Sequence, residues 1–248
     1  MRTVTDVLQT LNKKIKKEWK IAFFTAVILG LLIHMPVFSG DFPNHDGLDS
    51  IYFDQNMITS GRWFLTVACG ISSYYSLPWI TGLLSLLYLG IGCAALNEFL
   101  HVKEPVTVVL TSALAVSFPA LAATYGYLFT ADGYLMAWML VMLAMAITDR
   151  FDKGFIPGAV LLSFAVGIYQ SYLAFAAILA LTGMLRILTA GDDAGYGDTF
   201  GKRGKRALHF VYLGAIGMAA YVVILRILLL IQGKELVSYQ GINGEGVK

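Results

Sequence analysis

Residues 21–38 read IAFFTAVILGLLIHMPVF, an apolar stretch without Asp, Glu, Lys or Arg. About 18 to 20 apolar residues are enough to cross the hydrocarbon core of a bilayer as an α-helix. Similar stretches recur along the chain, and none shows the strict polar–apolar alternation of a membrane β-barrel strand. Helices are favoured because lipid offers no hydrogen-bond partner to an open backbone. The sequence therefore predicts an all-α, polytopic transmembrane helical bundle.

The composition supports the same fold class. Of the 248 residues, 57% are hydrophobic and only 14% are charged, whereas a soluble domain carries about a quarter charged residues. The apolar stretches predict about seven spans. Four of them lie at 21–38, 77–96, 106–123 and 134–147. The fifth begins at 155 and ends near 169–171, the sixth continues from that point to 185, and the seventh lies at 207–231. Three regions follow: an interfacial N-terminal helix over 1–20, a transmembrane module over 21–232 with a helical segment in its first outer loop, and an outer polar tail over 233–248.

The distribution of charge predicts the orientation of the chain. With an odd number of spans, 14 of the 18 Lys and Arg residues fall on the same side as the N-terminus. Basic residues are retained on the cytoplasmic side, so the N-terminus is predicted to be cytoplasmic. The first 20 residues combine helical apolar spacing with lysines, which is typical of a helix on anionic membrane lipids or of a solvated leader. Because the basic residues lie against the spans, their pattern does not indicate nucleic-acid binding.

Ionisable residues concentrate in the predicted outer loops. The loop over 39–62 contains four aspartates and ends in Arg62, and the turn over 124–133 adds Asp132. A carboxylate at the membrane surface can take a proton from an attacking hydroxyl. The planar guanidinium of Arg62 suits a phosphate group. The alternative interpretation is that outer loops are acidic only because basic residues are kept inside.

Two polar residues and one short pattern have two interpretations each. Gln170, where two spans meet, either lines a cavity or hydrogen-bonds another helix. Arg226, in the outer half of the last span, either faces a cavity or partner or extends its side chain to the interface. The pattern GYGD over 195–198 matches the GxGD of intramembrane aspartyl proteases, but it lies in a charged loop and not in a span. We therefore do not assign it to a protease.

Several motifs, taken in order, resemble one family. The first outer loop reads FPNHD over 42–46 and SGRW over 60–63, the second outer turn reads TADGY over 130–134, and the junction of two spans reads GIYQSY over 167–172. Together they resemble the bacterial serotype-converting O-antigen glucosyltransferases of type II, which are membrane enzymes with a GT-C-like fold. The similarity extends from the first to the sixth predicted span.

The resemblance implies an inverting enzyme that moves a sugar, glucose, from a polyprenyl-phosphate donor to a cell-surface glycan outside the bacterial cytoplasmic membrane. In GT-C folds an acidic residue of the first outer loop is the usual base, and one of the second loop often assists. Asp46 or Asp49, and Asp132, match these positions. The family often has adjacent acids in the first loop, whereas this chain separates them, so Asp46 and Asp49 stay alternatives. Further candidates are Arg62 and Arg226 for the donor phosphate, and Tyr127, Tyr169 and Gln170 as cavity-lining residues.

The resemblance implies no organic cofactor and no metal site, although a divalent cation would fit between the outer carboxylates and a phosphate. The expected partners are the polyprenyl-phosphate-linked sugar, the extracytoplasmic glycan acceptor and membrane lipids. Family members generally continue beyond a seventh span, so we expect a fragment or a shortened member. The rival hypothesis is a transporter, flippase or non-catalytic accessory protein for lipid-linked glycans. Convergence of the outer acids with Arg62 favours the enzyme, and scattered, solvated carboxylates favour the rival.

Overall fold

The computed structural model describes residues 15–40, 46, 57–70, 77–191, 196 and 199–236. Within these ranges the regular structure is helical throughout, which confirms the predicted all-α bundle. In chain order the helices are α1 (Lys17–Ser39), α2 (Leu65–Ala68), α3 (Pro78–Phe99), α4 (Pro105–Ser117), α5 (Pro119–Tyr125), α6 (Leu128–Arg150), α7 (Phe155–Ile168), α8 (Tyr172–Thr189) and α9 (Phe200–Gln232).

Local sequence explains where several helices begin and end. Helices α3, α4 and α5 each begin with proline, which is tolerated there because the first turn needs no N–H donor. The Glu104 carboxylate precedes α4 and accepts the backbone N–H of Thr107 at 2.7 Å, and this hydrogen bond lowers the pKa of Glu104. Helix α9 ends at Gly233, whose φ of +61° is a conformation that glycine adopts readily.

Five of the described helices, α1, α3, α6, α8 and α9, are long and apolar enough to cross a membrane. Helices α4 and α5 make a sixth span if the pair counts as one, and they meet at an angle of 45°. The bend arises because Pro119 disfavours a helical conformation at Phe118, which is extended. Helix α7 is apolar but has only 14 residues. The polytopic bundle is therefore as predicted, with five or six spans by length, and the predicted fifth span is the short helix α7.

The structure moves several predicted boundaries. Helix α6 begins at Leu128 and not at residue 134, so Asp132 lies inside a helix and the predicted polar turn is wrong at this point. Helix α9 begins at Phe200, so part of the predicted basic loop is helical. Hydropathy ends a span at the first polar residues, whereas helical hydrogen bonding continues past them. Residues 1–14 and 237–248, most of the predicted interfacial helix and tail, lie outside the described residues.

The helices pack in two groups that share α6. Helix α3 packs against α1 and α6, while α7 packs against α6 and α9, and α8 packs against α9. Each group has its own apolar cluster, and the Trp138 ring of α6 packs against both. At Gly92 of α3 this ring occupies the space that a side chain would need. Small residues allow such close approach between helices in lipid, where packing drives association.

The two ends of the bundle differ in charge. The basic end contains the start of α1, the ends of α3, α6 and α8, and the start of α9. Its described basic residues are Lys16, Lys17, Lys20, Lys103, Arg150, Lys153, Arg186, Lys202, Arg203, Lys205 and Arg206. The opposite end, called the Arg62 end, contains α2, the starts of α6 and α8, and the end of α7.

Candidate functional site

The backbone before Arg62 is anchored by two side chains from distant parts of the chain. Gln170, between α7 and α8, donates its Nε2 to the Ser60 carbonyl at 2.8 Å. Tyr221 of α9 donates its hydroxyl to the Gly61 carbonyl at 3.1 Å. The Gln170 Nε2 is also 3.3 Å from the Tyr221 hydroxyl. Gln170 thus bridges other segments of the bundle, which was one of its two predicted roles.

Two glycines permit this close approach. Gly61 has a φ of +84°, which places it in the left-handed region where glycine carries no side-chain penalty. A Cβ at this position would run into both anchoring side chains. At Gly167 of α7, the Trp63 ring fills the space of a side chain, and the Gly167 carbonyl accepts the Phe64 N–H at 2.8 Å. Both sides of the Arg62 position are therefore fixed to neighbouring elements.

Arg62 itself lies beside a cluster of tyrosines. Its Nε donates to the Ser60 hydroxyl at 3.0 Å, and its guanidinium interacts electrostatically with the Tyr134 hydroxyl. The Tyr134 and Tyr169 ring centroids are 5.3 Å apart, and the Tyr172 hydroxyl donates to the Tyr134 carbonyl at 2.6 Å. Among the described residues, no carboxylate forms an ion pair with Arg62. In the ranges that the structure describes, the groups that contact the guanidinium are therefore polar and neutral.

Asp132 is buried in the first turns of α6, not solvated in a turn as predicted. Only 2% of the residue is exposed, and its Oδ1 accepts the Gly133 N–H at 2.9 Å. Gly133 packs on Leu65 and Cys69 of the segment around α2, so this carboxylate lies at the Arg62 end. Asp132 is also within electrostatic range of Tyr88 on α3. A carboxylate inside a membrane bundle is energetically costly, which marks Asp132 as a functional candidate.

The structure places the remaining sequence candidates on exposed surface or outside the described residues. Asp46 is exposed, and Asp49 lies outside the described ranges. Arg226 is exposed on α9. Tyr127 immediately precedes α6 and is 45% exposed. Of the two candidate arginines, Arg62 is the one that the structure brings into the tyrosine cluster.

Asp149, at the end of α6, forms a second cluster that the sequence did not single out. Its carboxylate is buried and lies 2.6 Å from both Arg186 Nη2 and His101 Nε2. The Tyr196 hydroxyl is 3.3 Å from Asp149 Oδ1, and burial, followed by the Asp149 charge, raises the pKa of Tyr196. Arg206 of α9 donates to the Asp149 carbonyl at 2.6 Å. The GYGD pattern thus contributes Tyr196 to an ion-pair cluster at the basic end.

Glu98 forms a neighbouring group at the basic end. Its carboxylate lies 2.6 Å from Lys16 Nζ and 3.2 Å from Arg150 Nη1, and it accepts the Trp19 indole N–H at 2.8 Å. Lys16, Trp19 and Glu98 help to line a cavity of about 350 Å³. The Lys16 and Glu98 charges pair with each other, which suits a structural role for this group. In the described part of the chain, no group of three His, Cys, Asp or Glu residues is placed to hold a metal ion.

The fold and the Arg62 end define a polytopic helical membrane protein with an arginine, three tyrosines and a buried aspartate gathered at one end. The family model described as Glucosyl transferase GtrII matches residues 35–248. The chain belongs to this family, which confirms the resemblance drawn from the motifs. It is therefore a glucosyltransferase of O-antigen modification, with a sugar donor and a glycan acceptor as substrates. The chain matches no curated protein and no solved structure.

Proposed function

We propose that this glucosyltransferase takes glucose from a polyprenyl-phosphate donor and adds it, with inversion, to a glycan outside the bacterial cytoplasmic membrane. The position of Arg62, held beside Tyr134 at the same end of α6 as the buried Asp132, is the observation that carries this proposal. The described contacts of the Arg62 guanidinium are neutral groups, and such a guanidinium suits a phosphate, which its planar fork can bind through two hydrogen bonds. The phosphate of a lipid-linked donor lies at the membrane surface, at the level of such a helix end.

The proposed reaction is a direct displacement at the anomeric carbon. The acceptor oxygen bonds to this carbon while the bond to the phosphate oxygen breaks, and the electron pair leaves with polyprenyl phosphate. The acceptor proton passes to a carboxylate of the first outer loop, Asp46 or Asp49. Arg62 stabilises the charge that develops on the leaving phosphate. Asp132 assists from the start of α6, and the single displacement inverts the anomeric configuration.

The distribution of charge supports the proposed orientation. The basic end carries most of the described Lys and Arg residues, so the positive-inside rule assigns this end to the cytoplasm and the Arg62 end to the outside. Reporter fusions test this assignment directly. We expect an outside signal from fusions within residues 40–60 and an inside signal from fusions within 186–206. An inside signal from the loop around Asp46 contradicts both the orientation and the mechanism.

Transfer of labelled glucose by the purified protein in proteoliposomes tests the chemistry. We expect Asp46→Asn or Asp49→Asn, whichever removes the base, to lose transfer by about 10²-fold, with donor binding largely unchanged. The product should have the anomeric configuration opposite to that of the donor. Asp152→Asn is a matched control for transfer, because this carboxylate is 99% exposed at the basic end, where it pairs with Arg206. Full activity of both first-loop variants would exclude a base in this loop.

Donor binding tests the two arginines separately. Arg62→Gln is expected to weaken binding of the lipid donor without lowering the unfolding temperature. Arg226→Gln has the same effect if this residue also meets the phosphate, and no effect if its side chain only reaches the interface. Movement of the lipid-linked sugar across the bilayer without any transfer would instead favour the rival transporter or flippase.

A further inference from the structure

Tyr169 has the most exposed ring of the three clustered tyrosines at the Arg62 end. It lies in the extended break between α7 and α8, and 39% of the residue is exposed. The Tyr134 ring lies next to it, with centroids 5.3 Å apart and an angle of 33° between the ring planes. Tyr134 is in turn fixed through its carbonyl by the Tyr172 hydroxyl. Tyr169 is therefore supported by a second ring while part of its own surface stays open.

The segment that contains Tyr169 also holds the backbone just before Arg62. Gln170, the residue after Tyr169, donates to the Ser60 carbonyl at 2.8 Å, and Arg62 interacts with the hydroxyl of Tyr134. A sugar phosphate has the two matching parts. The C–H face of a pyranose ring packs on the electron-rich face of an aromatic ring, and the phosphate pairs with a guanidinium.

We propose that Tyr169 is the platform on which the glucose ring of the donor stacks, while Arg62 holds the adjoining phosphate. This inference rests on the proposed function, because it requires a glucosylated lipid phosphate as the donor. It assigns different parts of the donor to different side chains. The phosphate is common to the donor and to the sugar-free lipid product, so Arg62 binds both. Tyr169 contacts only the sugar, so it distinguishes the loaded donor from the product that must leave.

Equilibrium binding of two probes to the full chain in nanodiscs tests this assignment. The probes are a short-chain glucosylated polyprenyl phosphate and the same polyprenyl phosphate without the sugar. Tyr169→Leu is expected to weaken binding of the glucosylated probe by roughly 3- to 10-fold and to leave the sugar-free probe unchanged. Tyr169→Phe keeps the ring and should bind both probes like the wild type. Tyr212→Leu, at another exposed tyrosine that packs on Phe155, is the matched control and should change neither.

A second measurement needs no variant. The glucosylated lipid, but not the sugar-free lipid, is expected to protect Tyr169 from nitration by tetranitromethane, while Tyr212 stays equally reactive in both cases. Equal nitration of Tyr169 with both lipids overturns the platform, as does an equal loss of both probes in Tyr169→Leu or no loss at all. In those cases the wild type still binds the donor, so the proposed function stands. If the wild type binds neither lipid, the proposed donor itself is wrong.

Discussion

At the basic end, the Asp149 carboxylate lies 2.6 Å from the Arg186 guanidinium, whereas at the Arg62 end the Gly61 carbonyl is held by the neutral hydroxyl of Tyr221. Both contacts join segments that are distant in the sequence. At the basic end the buried Asp149 charge is paired within the protein, which suits a structural anchor. At the Arg62 end, neutral hydrogen bonds from Gln170 and Tyr221 hold the backbone before Arg62. The difference fits a structural role for the Asp149 cluster and the proposal that Arg62 meets the donor phosphate.

Removal of the Asp149 charge at the basic end should have the largest effect, and this effect should be a loss of stability. Asp149→Asn leaves the partly buried Arg186 without its counter-ion, and breaking a buried pair costs about 3 to 5 kcal/mol. We expect a clearly lower unfolding temperature in detergent, while transfer per folded molecule stays at the wild-type level. Asp152→Asn is the control, because it removes an exposed carboxylate that pairs with Arg206 at 3.0 Å, and such a pair contributes roughly 0.2 to 1 kcal/mol. A loss of transfer at unchanged unfolding temperature would show that the basic end takes part in function.

Disturbing the neutral anchor should instead affect transfer. In Gly61→Ala the new methyl group meets both anchoring side chains at a φ of +84°, so either these side chains or the backbone before Arg62 must shift, and the anchor is disturbed in both cases. A misplacement of about 1 Å near a reacting group costs on the order of 10²-fold in rate. Gly214→Ala on α9 is the control, because a Cβ there meets nothing within 4 Å, and it should be neutral or slightly stabilising. Wild-type transfer by Gly61→Ala would mean that this backbone geometry is not needed.

A milder change to the same anchor should give a milder effect. Tyr221→Phe keeps the ring and removes the hydrogen bond to Gly61, a contribution of about 0.5 to 1.5 kcal/mol. Donor affinity should therefore fall by roughly 2- to 10-fold, with little change in kcat. Tyr212→Phe removes the hydroxyl of an exposed tyrosine on the same helix and should bind donor normally. If kcat fell by orders of magnitude and affinity did not change, Tyr221 would act on the reacting atoms and not through Gly61.

The smallest effect is expected at the surface of the basic end. Lys16 pairs with Glu98 at 2.6 Å, but its side chain is 40% exposed, and exposed pairs contribute roughly 0.2 to 1 kcal/mol. Lys16→Gln should lower the unfolding temperature slightly at low salt, and the difference should shrink as salt is added, because salt screens exposed charges. Transfer should not change. A shift as large as that of Asp149→Asn would show that the basic end acts as one cooperative network.

The helices were largely predictable from the sequence because the bilayer imposes one strong constraint on the backbone. The residues at which the helices begin and end were not predictable. Thr130 and Asp132 appeared to mark a turn, yet both are buried within α6, where neighbouring elements pack around polar side chains that hydropathy treats as loop residues. The break at Phe118 was missed for the opposite reason, because the surrounding residues are apolar on both sides of Pro119.

Candidate site residues could be chosen from the sequence, but their contacts could not. Arg62, Asp132 and Gln170 were chosen by residue type and by position relative to the spans, and their roles stay predictions. The hydrogen bond from Gln170 to Ser60 joins residues 110 positions apart, and a single sequence contains no periodicity that reports such a pairing. Nothing in the sequence marked Tyr221 as an anchoring residue, since a tyrosine in an apolar stretch is compatible with any lipid-facing or core position.

The spacing of two arginines along helix α9 indicates how deep its residues lie in the membrane. Arg206 at the basic end and Arg226 are about 20 residues apart, or roughly 30 Å along the helix, which is about the thickness of the hydrocarbon core. With Arg206 at one boundary, the exposed Arg226 reaches the other, and Tyr221 lies roughly 7 Å short of it. On this placement the Tyr221 anchor on Gly61 lies just inside the outer boundary, close to the level of the lipid phosphates. On the proposed function, a lipid-linked donor that diffuses within the outer leaflet would approach this position sideways, from the bilayer.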